Sequence, residues 1–459
     1  MKTIREEARE IKVFTETEVV VVGGGPAGVA AAVASARTGG KTVLIERYGH
    51  LGGMSTSGLV ILIPFMSSGG REKQIAGICQ EMTDRLDAID GAVHPSDEET
   101  GATDEKTLRY WRRRGTFSMA PGDSVRYGAL VDPEKLKCVL NDMVEEAGVK
   151  LLLHSWGTRA VVEDETVQGI IFESKSGRQA VLAQTTIDTT GDGDIFASAG
   201  AEFDGTIDRS LRSANLALVW RIANVDSERY LDFQEQERDK HSELMKELTA
   251  KGGFNTYWRS AHDDVLWCNN WIPNLSAIDV EDLTYVETSV RKSMLMSHKF
   301  LQEKVPGFEN SYIMDTASQT GTRGSRRLIG EYVVTWDDVM SGIVHPDTIA
   351  LLPHLHNTPE KGFPLVTMPY RALVPKKIEN LLAAGRCFSS DPAANNVLNW
   401  IQQCIPMGQA AGTAAALAVK SGITPRKVNV PVLQENLIKQ GVPLPDQDTR
   451  SLGQASYPH

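Results

Sequence analysis

The sequence predicts an α/β fold: a Rossmann-type nucleotide-binding domain with a β-meander and an inserted α+β substrate or cap domain. Three observations carry this. A short buried strand runs directly into a glycine-rich turn and a helix near the N-terminus. A series of short β-rich runs follows at residues 151–187. A strand and an alanine-rich helix return near the C-terminus, after a long segment of different texture.

Taken in order, Glu18-Val19-Val20-Val21-Val22 is β-branched, short and continuous, the pattern of a strand buried on both faces. Gly23-Gly24-Gly25-Pro26-Ala27-Gly28 follows at once, and Val29–Thr38 reads as a helix that stops at Gly39-Gly40. Residues 41–46 form the next strand, completing a βαβ unit. Residues 71–125 are polar, with PSDEETGATDEK as a surface excursion. Asp132–Ala147 is a helix. The runs TRAVVED, TVQGIIFES and RQAVLAQTTID form the meander. Residues 203–375 carry five of the eight tryptophans and a long amphipathic helix at 281–304. The domains expected are therefore 1–202 with 376–459, a discontinuous cofactor domain, and 203–375, the substrate or cap domain. Gly408–Lys420 is the returning helix.

The 459 residues carry a formal net charge of -11, which repels phosphate backbones and argues against a nucleic-acid partner. Cys79, Cys138, Cys268, Cys387 and Cys404 share no CxxC spacing. They form no disulfide framework, zinc site or iron–sulfur set, and a reducing, cytoplasmic setting is expected. The charged N-terminus lacks a signal-peptide core, and no membrane span is expected.

Gly23-x-Gly25-x-x-Gly28 is a dinucleotide fingerprint in the right context: after a strand, opening a helix, with Glu46 ending the next strand. The carboxylate of Glu46 suits the hydroxyls of an adenosine ribose. NAD would satisfy this unit as well. Three later elements favour FAD, which must be held at adenosine, pyrophosphate, ribityl chain and ring. These are Arg47 with Leu51-Gly52-Gly53-Met54-Ser55-Thr56, then Thr190-Gly191-Asp192-Gly193-Asp194, then Leu381–Arg386 before Met407-Gly408-Gln409-Ala410-Ala411-Gly412.

Together with VPGFEN, GSRRLIGEYVVTWDDV and CIPMGQAAGTAAALAV, these segments resemble the FAD-dependent oxidoreductase family of the glutathione-reductase-like superfamily, over nearly the whole chain. That broad family includes the flavin subunit of heterodisulfide reductase. The resemblance implies roles. Gly23, Gly25, Pro26, Ala27 and Gly28 contact the pyrophosphate, and Glu46 and Arg47 hold the adenosine end. Gly53, Met54 and Ser55 lie along the ribityl chain and ring. Ala160 or Val161 touches adenine through backbone, and Gly191 and Asp192 line the pyrophosphate side. Gly385 and Arg386 sit near the ribityl region, and Gly408, at a helix start, aims N–H groups at the flavin. Two departures stand out. Arg323-Gly324-Ser325-Arg326-Arg327 replaces the usual Arg-Glu-Ser-Arg-Arg, and His354-Leu355-His356 stands where relatives carry an Asp before a His. The four-cysteine clusters of heterodisulfide reductase are absent, so that activity is not implied.

For chemistry, a flavin enzyme needs a hydride acceptor and usually a base. His354 and His356, with Arg371, are the expected catalytic groups. Arg323, Arg326 and Arg327 are further candidates to clamp a carboxylate. Trp258, Trp267 and Trp271 could line an aromatic pocket, and Cys404 could approach the ring. The reaction expected is oxidation or reduction of a small organic molecule. The acceptor stays open among oxygen, a quinone and another redox protein. A non-catalytic flavoprotein and an NAD-dependent dehydrogenase are the competing readings.

Overall fold

The structure, a computed structural model, describes residues 2–114, 122–208, 210–354 and 364–446. Strand β1 (Lys12–Val22), helix α1 (Pro26–Arg37) and strand β2 (Thr42–Ile45) form the expected βαβ unit, β1 and β2 running parallel. Helix α2 (Pro133–Glu146) is capped by Asp132, whose carboxylate accepts the Glu134 and Lys135 N–H groups, and it delivers the chain to β3 (Lys150–Leu152). The meander is β4 (Trp156–Glu163), β5 (Thr166–Ser174) and β6 (Gly177–Asp188).

These strands lie in one mixed sheet in the order β3-β2-β1-β6-β5-β4. The long strand β6 serves two neighbours on one edge: β5 runs antiparallel along its first half, and β11 (Leu381–Ala383, below) pairs parallel with Thr186–Asp188. That arrangement brings the C-terminal ends of β2, β1, β6 and β11 to the same edge, where an open parallel sheet binds ligands. Side chains of β1 alternate between two cores. Val19 and Val21 join the larger cluster with α1, and Val20 and Val22 pack with Val43, Ile170 and Phe196 on the other face.

Within residues 203–375 a second sheet is antiparallel: β7 (Trp220–Ala223), β8 (Tyr257–Arg259), β9 (Leu266–Cys268) and, after helix α3 (Val280–Lys304), β10 (Tyr312–Thr316), in the order β8-β9-β7-β10. The chain then returns through β11 (Leu381–Ala383) to α4 (Ile401–Ser421). Among the described residues, no helix is long and apolar enough to cross a membrane.

Helix α4 begins seven residues before the Gly408 start expected from sequence. Pro406 lies inside it, and a proline two residues before a glycine imitates a boundary. The true start is set at Trp400, whose N–H donates to Gln403 Oε1 at 2.9 Å. Gly408 is interior. A Cβ there would stand 2.0 Å from Ala27 O, so its absence lets α4 lie against α1.

Asp188 closes β6 and organises the loop after it. Its carboxylate accepts Thr190 N–H and O–H on Oδ1, and Ile195 and Phe196 N–H on Oδ2, at 2.7–3.0 Å. Burial, opposed by these donors, pushes its carboxyl up to about 6. The folded chain therefore holds this proton more tightly than the unfolded chain. That contribution to stability is present below the ordinary carboxylate range and lost as pH rises through about 6. Asp188→Asn should remove this slope. It should also cost about 1–3 kcal/mol, because either amide orientation turns an N–H toward a backbone donor. Urea midpoints of both proteins at pH 5 and 8 check this; equal slopes would count against it.

Candidate functional site

The sheet edge described above opens into a cavity of ≈ 360 Å³. Its wall comes from both parts of the chain: the β1–α1 turn, Glu46 and Arg47 after β2, Gly191 after β6, and tryptophans of the second sheet.

At the turn, Gly23 takes φ +103°, which lets the chain reverse from strand to helix. A Cβ on Gly28 would stand 1.7 Å from Gly23 O, so α1 can approach its own turn only with glycine there. Gly25 differs. The nearest atom to a Cβ there is Gly53 Cα at 4.0 Å, and the position otherwise faces the cavity. Gly25 is the N-cap of α1 and provides no side-chain cap, so the first N–H groups of the helix need another acceptor. An anion over Gly25 meets that need.

Glu46 lines the cavity but is not free. Its Oε2 accepts Gly24 N–H at 2.6 Å and its Oε1 accepts Tyr48 N–H at 2.8 Å. Burial pushes its carboxyl up, against those hydrogen bonds and the Arg47 charge. An ionised carboxylate has about four acceptor positions, so capacity remains for a hydroxyl pair.

Gly23, Gly25, Pro26, Ala27, Glu46, Arg47, Gly53, Met54, Gly191, Gly385 and Arg386 all line the cavity. Gly28 and Ser55 lie behind the wall, both buried. Asp192 also stands behind: it accepts Arg386 Nη2–H at 2.5 Å, while Arg386 Nε–H reaches Gly191 O at 3.0 Å. The salt bridge ties two glycine-rich loops together.

The structure corrects several assignments. Ala160 and Val161 lie mid-strand in β4, paired with Ile170 and Gly169, and the Ala160 N–H is taken by Ser198 Oγ at 2.9 Å. The residues of this strand region that line the cavity are Ser155, Trp156 and Gly157. Gly408 packs helices, and the helix start on the wall is Trp400, Ile401 and Cys404. Arg371 does not line the cavity; it holds Asp347 through Nε at 3.0 Å and Nη2 at 3.2 Å, and lies over Tyr332. His354 is buried away from the wall, its carbonyl accepting Arg126 Nη1–H at 3.1 Å. His356 lies outside the described residues. Arg326 and Arg327 are committed to Asp194 and Asp204, at 2.9 and 2.6 Å.

Trp258, Trp267 and Trp271 do reach the cavity, joined by Trp400. Trp258 and Trp267 meet edge-on with ring centroids 5.1 Å apart. Cys404 is on the wall, but burial raises its thiol to about 12, which keeps the proton on Sγ. Sequence reasoning missed Arg212, Gln319, Thr322, Asn399 and Trp400, all on the wall. Only Trp400 and Asn399, next to the returning helix, left a local signal.

The family model described as "FAD dependent oxidoreductase" matches residues 18–437. No curated protein matches the chain significantly in sequence. Among solved structures, the chain is similar to a geranylgeranyl bacteriochlorophyll reductase-like protein of Thermoplasma acidophilum. The two share 14% identity over 95% of this chain and 90% of that one, with a TM-score of 0.46. It is also similar to the p-nitrophenol 4-monooxygenase of Pseudomonas putida, with 13% identity over 96% and 88% and a TM-score of 0.46.

Proposed function

The chain belongs to the FAD-dependent oxidoreductase family, whose cofactor is FAD, and from that premise we propose that it transfers a hydride between a small organic substrate and the flavin N5. The observation that supports this is one cavity whose wall combines two sets of residues: Gly25, Glu46 and Arg47 at and after the βαβ turn, and the indoles of Trp258, Trp267, Trp271 and Trp400.

The residues fit the cofactor. Gly25 leaves room that a side chain would fill, and the uncapped start of α1 offers N–H groups and a positive dipole end to a pyrophosphate. Glu46 would take ribose hydroxyls. Met54, Gly385 and Arg386 would hold the rest of the molecule. When bound, FAD supplies a two-electron hydride acceptor at its ring. The protein's own contribution is orientation and dryness. The indoles supply apolar surface for a substrate body, and Cys404 keeps its proton on Sγ, donating to Asn399 O at 3.6 Å.

The purified protein should be yellow and release FAD rather than FMN on denaturation. Anaerobic addition of its substrate should bleach the flavin band. Released FMN, or no flavin, would reject the reading.

Glu46 offers a narrower check. Because it also anchors Gly24 and Tyr48, Glu46→Gln must turn an N–H toward one of those donors. FAD affinity should fall about 10- to 100-fold, equivalent to losing roughly 1.5–3 kcal/mol of charge-assisted hydrogen bonding. Titration of stripped protein with FAD measures it. Unchanged affinity would remove Glu46 from the adenosine end.

A further inference from the structure

Four arginines line this cavity, Arg47, Arg212, Arg323 and Arg386, and among the described residues Arg386 alone of them is ion-paired, while Arg326 and Arg327 stand behind the wall. Arg386, Arg326 and Arg327 each hold an aspartate at 2.5–2.9 Å. Arg212 and Arg323 also face the cavity, and among the described residues neither is paired with a carboxylate. Arg212 Nε is buried without a hydrogen-bond partner.

Both guanidiniums lie over indoles of the same wall. Arg212 Cζ lies 4.7 Å from the centroid of the Trp400 ring, and Arg323 Cζ lies 5.4 Å from that of Trp271. Their backbones are pinned: Arg212 N–H donates to Asn396 Oδ1 at 3.1 Å, and Arg323 O accepts Asn399 Nδ2–H at 2.6 Å. Burial, helped by repulsion from Arg323, brings Arg212 down to about 9, and burial brings Arg323 down to about 10. The two positive charges thus act on each other, and among the described residues no carboxylate pairs with either. Such an arrangement is costly unless an anion completes it. The cation–π contacts with the indoles offset part of the cost.

We propose that Arg212 and Arg323 form the anion-binding end of the substrate pocket and take the carboxylate of a flat, conjugated or aromatic acid. This rests on the flavin reading of the same cavity. Guanidiniums match a carboxylate edge-on, with two donors each. The indoles of Trp258, Trp267, Trp271 and Trp400 would pack the flat body. The pyrophosphate of the cofactor is a different anion with a different place: its expected partners are at Gly25 and the start of α1.

Benzoate and benzamide are the probes, being nearly equal in shape and differing in charge. Each is titrated into the flavin-loaded protein and read by the flavin absorption band and by indole fluorescence. Benzoate is expected to bind at least about tenfold more tightly than benzamide, and Arg212→Met or Arg323→Met should erase that preference, weakening benzoate roughly 10- to 100-fold. FAD content should stay at the wild-type level in both variants. Equal affinity for the two probes in the wild-type protein overturns the proposal, and needs no variant. Loss of FAD from the variants with benzoate preference intact also overturns it, since the arginines would then serve the cofactor. A colourless protein would reject the flavin reading, and indole quenching by benzoate against benzamide then still decides the anion site.

Discussion

Gly28→Ala should lower stability by about 1–3 kcal/mol or more, while Gly25→Ala should leave stability intact and weaken FAD binding. The two glycines are three residues apart in one turn, yet they answer to different constraints. At Gly28 a methyl group would stand 1.7 Å from Gly23 O and 2.8 Å from Thr189 Oγ1. The first is backbone, in a turn whose Gly23 N–H is bonded to Ile45 O at 2.8 Å, so it cannot yield cheaply. At Gly25 the backbone is extended, with φ -71° and ψ -172°, which alanine adopts freely. The added methyl meets no atom closer than 4.0 Å and projects toward the cavity. Reduced chain freedom in the unfolded state would even stabilise this variant by ~0.4–1 kcal/mol. The methyl displaces whatever lies over the helix start, so FAD affinity should drop at least about tenfold, a little over 1 kcal/mol of steric cost. Urea midpoints and flavin content of the two purified variants separate the effects. A Gly25→Ala protein that keeps full flavin would show that the pyrophosphate lies elsewhere.

What could be read from the sequence was local. The βαβ unit, the helix at Asp132–Ala147 and the meander each depend on neighbours within a few residues, and each is present, although β1 starts at Lys12, six residues before the strand expected from Glu18. Glycine-rich turns announced the loops on the cavity wall for the same reason: a backbone that must approach a ligand requires glycine at that position. The substrate end was not legible. Arg212 and Trp400 are far apart in sequence, and only the folded chain brings the guanidinium over the ring. The expected role of Arg371 failed on similar grounds. Nothing in the sequence marks Asp347 as its partner, although that pairing turns it away from the wall. Gly408 was misread because a glycine two residues after a proline signals a helix boundary locally, whereas here it serves a helix neighbour almost four hundred residues away in the chain.

Gly408→Ala should therefore destabilise the protein by about 1–3 kcal/mol or more and also weaken FAD, although Gly408 touches no part of the cavity. The link is Ala27. A Cβ on Gly408 would meet Ala27 O at 2.0 Å, and the next small residue on the same face, Gly412, would meet Ala31 O at 2.0 Å. Both are backbone contacts between α4 and α1, so either alanine must push the helices apart. Their effects on the cofactor should differ, because Ala27 lines the cavity and Ala31 does not. Gly412→Ala should cost similar stability and spare FAD affinity. The double variant should cost less than the sum, since helices already separated by one methyl accommodate the second. Gly70→Ala is the control: nothing lies within 4 Å of its Cβ, and it should stay within about 0.5 kcal/mol of the parent. Urea midpoints and FAD titrations of the four proteins test this. If Gly412→Ala sheds flavin as readily as Gly408→Ala, the effect is general loosening of the domain, and the specific link through Ala27 is wrong.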